Sequence, residues 1–136
     1  MKLKPQSLML AVGALLLSAM PAFAHHAFEA EFTEQKPISI TGVVTRVDWV
    51  NPHAYVYLDS KDESGKTVSW MFETLPPGML HRGGMAREML PVGQTITIDG
   101  YGAKDGSKSL GWIKRVHFSD GRTIEVTKDN ESKQQQ

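Results

Sequence analysis

The chain has 136 residues, with 15 Lys and Arg against 15 Asp and Glu, five His and no Cys. This balance gives no electrostatic case for nucleic acid or an anionic membrane surface, and the missing Cys excludes disulfide staples, thiolate catalysis and cysteine-type zinc sites. The length suits a single domain held by packing alone.

Lys2 and Lys4 precede an apolar run from Leu8 to Met20, and the small residues Ala22 and Ala24 stand three and one before a potential cut. That is the layout of a secretory signal peptide, and the run falls short of the roughly 20 residues a membrane-spanning helix needs. Residues 1–24 are therefore expected to be removed. The mature protein is then periplasmic or secreted from a bacterium by the general secretory route, with no stable membrane insertion. Cleavage after Ala24 makes His25 the first residue and His26 the second. An N-terminal histidine offers an α-amine with a reference pKa of about 7.7–8.0 and an imidazole of about 6.5, so both nitrogens can chelate a cation near neutral pH.

Residues 25–37 read as an N-terminal arm, followed by a β domain over 38–127 and a polar, disordered tail over 128–136. Ile38 to Val50 is a β-branched strand whose apolar parity switches from even at Ile38 and Ile40 to odd at Val43, Val47 and Trp49. A strand cannot bury both sets without an extra residue, which predicts a bulge at Gly42. Asn51-Pro52 breaks the strand. Ala54 to Leu58 is the second strand, with Tyr55 and Tyr57 opposite Val56 and Leu58, and a turn over 62–66 leads into a third, Thr67 to Glu73. Pro76-Pro77-Gly78 ends the β pattern, and Met79 to Leu90 forms two short helical turns separated by Gly83-Gly84. Alternation resumes over Thr95 to Tyr101 and Leu110 to Phe118, and Asp120-Gly121 opens a hairpin into Arg122 to Val126.

Three strands, a helical connection, two more strands and a hairpin make an all-β chain with one short helical insert. This is the order of a small OB-like five-stranded barrel with a C-terminal hairpin extension, the insert plugging one end. An immunoglobulin-type sandwich would need about seven strands and no helical insert.

The chain also resembles a family of small exported bacterial proteins grouped as a domain of unknown function. The resemblance rests on His25-His26-Ala27-Phe28 with Glu31-Phe32, on Gly42, on Trp49-Val50-Asn51-Pro52-His53, and on Trp70 with Glu73. It continues through Arg82, Gly84, Arg87, Leu90 with Gly93, Gly100, Asp105-Gly106 and Asp120-Gly121-Arg122. It departs at Met85, where Trp is usual, and at His81 and Met89. The resemblance implies no activity.

The motif residues themselves point to a metal. His25 supplies two nitrogens and His26 a third, and His53 lies in the loop joining strands one and two, an edge at which OB-type barrels bind ligands. Glu73 ends the third strand and lies near the same rim if strands two and three form a hairpin. His25 and His53 are thus expected to form the core of one site, with His26 and Glu73 as additional candidates. Such a mixed N/O set suits Cu(II) first and Zn(II) next, rather than Ca or Mg. The bland reading is a solvated N-terminal tail and a His53 that caps a turn.

Met79, Met85 and Met89 with His81 have the residue types of a Cu(I) cluster, but their spacing is also that of an apolar helix face, which we favour. Parity assigns Trp49 and Trp70 to the core and leaves Trp112 ambiguous. Arg82, Arg87 and Arg115 are candidate anion ligands, with pairing to neighbouring acids the commoner use. Nothing specifies an enzyme: H-E-x-x-H, G-x-S-x-G and a phosphate loop are all lacking. The sequence thus supports an exported metal-binding module. The alternative is a periplasmic protein-interaction module without metal, and oligosaccharide or oligonucleotide binding follows from fold analogy alone.

Overall fold

The computed structural model describes residues 28–126; the expected signal peptide, His25, His26 and the C-terminal tail lie outside them. After a helical turn over residues 28–31, the strands are β1 (Phe32–Asp48), β2 (Tyr55–Lys61), β3 (Thr67–Glu73), β4 (Thr95–Ala103), β5 (Leu110–Phe118) and β6 (Thr123–Glu125). A helix α1 (Pro77–Arg82) and a 3₁₀ turn (Arg87–Met89) separate β3 from β4. Among the described residues no helix is long and apolar enough to cross a membrane.

The pairings run β3-β2-β1-β4-β5-β6, and a parallel β3–β5 contact joins the two arms into a barrel-like ring of five strands. This is the OB-like arrangement expected from the strand order. The start of β5 pairs with β3 and its end with β6, through Arg115↔Glu125 and His117↔Thr123, so β6 is the hairpin extension. Alternation supplies the core: Val44, Val56, Leu58, Phe72, Ile96, Ile98, Ile113 and Val116 are fully buried. Leu80, Met85 and Leu90 from the helical insert join the same cluster, with Met79 and Met89 packed against it. The helical stretch breaks at Gly83-Gly84 as expected, and of the three methionines Met85 is core while Met79 and Met89 lie against it.

Three expectations need correction. The first strand begins at Phe32, six residues ahead of Ile38, because the arm pairs with β4 through Phe32↔Ala103 and Pro37↔Tyr101. Its bulge is not at Gly42. The register with β2 passes from Val44↔Leu58 to Arg46↔Tyr57, which leaves Thr45 as the extra residue. Val43, counted above with the inward set, faces out at 40% exposure, so the parity switch falls after Val44. Gly42 serves another purpose, since a Cβ there would lie 2.7 Å from the Asp59 carbonyl oxygen across the strand pair.

The third correction concerns the tryptophans. Trp112 is buried, whereas Trp49 and Trp70 are only partly so, lying against the core rather than in it. Trp70 stacks on Phe72 at 5.5 Å. The ambiguity at Trp112 comes from a second bulge: β4 pairs Gly100 with Ile113 and Asp99 with Arg115, skipping Lys114. Ile113 and Val116 therefore both face inward and Trp112 faces out.

Candidate metal site at the ring rim

The Asn51-Pro52 turn, whose peptide bond is cis, delivers His53 to the start of β2. Backbone bonds from Thr74 N–H to the Ala54 carbonyl (3.0 Å) and from Ala54 N–H to the Leu75 carbonyl (3.2 Å) continue the β2–β3 hairpin past its formal end. Tyr55 pairs with Glu73, and alternation sets both on the face opposite the buried Val56 and Phe72. His53 Nδ1 is hydrogen-bonded to Glu73 Oε1, and each of the two residues is only 8% exposed. The expected meeting of His53 and Glu73 is therefore found.

Such burial on an outer face requires a cover. The register carries a row across the ring from Tyr55 to Glu73, Trp112 and Tyr101, one residue from each of β2, β3, β5 and β4. The N-terminal segment lies over this row as a strap. Phe28 meets Trp112 edge-on at 5.4 Å and Tyr101 at 5.7 Å, and Phe32 lies 5.8 Å from Trp112. Trp112 and His53 in turn meet in a T-shaped contact, with ring centres 5.9 Å apart and planes at 89°. Lys104 ties the strap down: its N–H donates to the Glu31 carbonyl at 2.8 Å and its Nζ to the Glu29 carbonyl.

The electrostatics follow from this cover. Burial pushes the Glu73 carboxyl above the usual carboxylate range; the hydrogen bond and charge of His53 oppose the shift, and Glu31 on the strap adds to it. Burial likewise raises the Tyr55 phenol, with Glu73 and Glu31 contributing. A histidine whose Nδ1–H is held by a carboxylate is fixed in orientation and tautomer and presents Nε2 as its donor atom. Nε2 of His53 has no hydrogen-bond partner among the described residues.

Two of the four expected ligands are thus brought together, while His25 and His26 lie outside the described residues. The geometry gives Glu73 the part of a group that orients His53. Among the described residues no three His, Asp or Glu side chains gather into a complete metal set. His81 is exposed on α1, and Arg82 and Arg87 are exposed. Arg115 pairs with Glu125 and lies 3.8 Å from Asp99, so it is engaged with acids.

Phe28, Glu31, Tyr55 and Trp112 complete the surroundings of the pair and were not singled out from the sequence as site residues. The signal for Trp112 was the broken alternation between Ile113 and Val116, which marks a bulge. For Glu31 there was no local signal, because its neighbours come from distant strands.

None of the curated proteins matches the chain. The model of a family described as a family of unknown function, DUF6152, matches residues 14–112, well over half of the chain and a span that includes His53, Glu73 and Trp112, and the chain belongs to that family.

Proposed function

We propose that the protein is exported, begins after cleavage at His25, and acts as a binding module for one transition-metal ion, Cu(II) by preference and Zn(II) next. The donors are the His25 amine and imidazole, His26, and His53 Nε2, with Glu73 holding His53 through Nδ1. The observation that carries this reading is the buried His53–Glu73 pair beside a strap whose first described residue, Phe28, packs on the same tryptophan as His53. An imidazole backed by a buried carboxylate is the arrangement of metal-ligating histidines, and nitrogen-rich donors favour Cu(II) and Zn(II) over Ca or Mg. Protons compete for the same nitrogens, so affinity falls as pH drops through the imidazole range. The test is the metal content of exported protein, loaded with Cu(II) or Zn(II) and freed of excess, with its first residue fixed by intact mass. One equivalent of bound metal supports the reading, and none contradicts it.

A further inference from the structure

The seam between β3 and β5 runs from Met71↔Leu110 to Glu73↔Trp112, and the His53–Glu73 pair lies at its second end. Beside the first end is a groove of about 320 Å³, bordered by β1, β3 and the loop that joins β4 to β5. Its apolar lining is Ile38, Trp70 and Leu110, each half-buried and packed against the core. Trp70 rests on Phe72, and its indole N–H has no hydrogen-bond partner among the described residues.

The charged lining has one sign. Lys36 and Lys108 border the groove and no Asp or Glu does; Asp105, in the same loop, is turned to the Ser107 N–H, which donates to it at 2.8 Å. Lys36 Nζ is held in place by donating to the carbonyls of Ala103 at 2.9 Å and Lys104 at 3.3 Å, whereas Lys108 Nζ has no partner among the described residues. Next to it, Ser109 is the one described non-glycine residue with a positive φ, 61°. Its carbonyl accepts the Met71 N–H at 2.9 Å, a turn that glycine would make without strain. Serine instead adds a hydroxyl to the lining, and that hydroxyl is unpartnered among the described residues. A strained backbone kept for the sake of a side chain is a mark of a binding site.

We propose that this groove binds a small aromatic carboxylate, its ring against Trp70 between Ile38 and Leu110 and its carboxylate on Lys108, the Ser109 hydroxyl and the remaining proton of Lys36. Two ammonium groups with no acid beside them favour an anion, and a carboxylate is the acceptor-only group that such donors complement. An indole flanked by aliphatic side chains suits a flat apolar body. The volume is at the small end of ligand pockets, which run from roughly 300 to 1,000 Å³, and so admits one ring rather than a polymer. No residue of the metal site takes part.

The test is an NMR titration of processed protein with phenylacetate, followed at the Trp70 indole N–H, a resonance assigned by its absence from Trp70→Phe. Saturable shifts with a Kd of about 1 mM or below are expected in wild type and equally in His53→Ala. Phenethylamine, with the same ring and the opposite charge, should bind about tenfold more weakly or worse. Lys108→Ala removes an exposed side chain and should weaken phenylacetate about threefold. Ser109→Gly keeps the turn and should weaken it about twofold, with a thermal midpoint no lower than that of wild type. Lack of a saturable shift in folded wild type overturns the site, as does equal affinity for the two compounds, or wild-type affinity in both Lys108→Ala and Ser109→Gly.

Discussion

The absence of one methyl group at Gly42 decides how closely β1 and β2 approach. The obstructing atom is the Asp59 carbonyl oxygen, part of the backbone, so no side-chain rotation relieves a substitution. Gly42→Val is expected to destabilise the protein by about 1–3 kcal/mol, read as a lower midpoint in urea with an unchanged slope. At Asp99, hydrogen bonds from His117 Nε2 and Ser39 Oγ, both 2.7 Å, hold the carboxyl below its usual range. A depressed folded-state pKa contributes stability that is present above the unfolded value, near 3.8, and lost as pH falls through the depressed one. Asp99→Asn should therefore flatten the acid limb of a stability-versus-pH curve; an identical limb in the variant would contradict this. Glu73 has the opposite sign, because its raised value favours the protonated form, and the stability it contributes is lost as pH rises through that value. The His53–Glu73 meeting was legible in the sequence because one residue precedes a strand and the other ends its hairpin partner. The place of Trp112 was not, since an extra residue at Lys114 reverses which positions of β5 face the core.

At the scale of elements, turn chemistry carried β3 and β5 to their exact limits, because Pro76-Pro77-Gly78 and Asp120-Gly121 follow their ends, even though the alternation inside β5 is broken at Lys114. The strap was legible only as an arm ahead of the β domain. Its docking surface is assembled by β3, β4 and β5 at once, and no local pattern describes that surface. In the helical insert, the choice between a soft-ligand cluster and core packing rests on Met85, which is 1% exposed within the core cluster. Met85→Ala should cost about 2–5 kcal/mol, and Met85→Leu less than about 1.5 kcal/mol. Neither should change Cu(II) affinity in folded protein, as titration of both variants would reveal. A loss of binding in Met85→Leu would return the methionines to the metal site.

For the whole molecule, the strand order announced the ring, since three strands, a plug and two strands close only if β3 meets β5. The proposed chelate also depends on processing. We predict cleavage after Ala24, to be checked by the intact mass of exported protein; a mature start beyond His25 removes the amine and with it the proposed chelate. Whether His53 is a ligand or a turn residue is decided by calorimetry of Cu(II) and Zn(II) binding to processed wild-type protein and His53→Ala, with His81→Ala as the exposed-histidine control. One site is expected in wild type, with affinity at least tenfold weaker in His53→Ala and unchanged in His81→Ala, a tenfold change being about 1.4 kcal/mol. Equal affinity in wild type and His53→Ala would show that His53 is not a ligand.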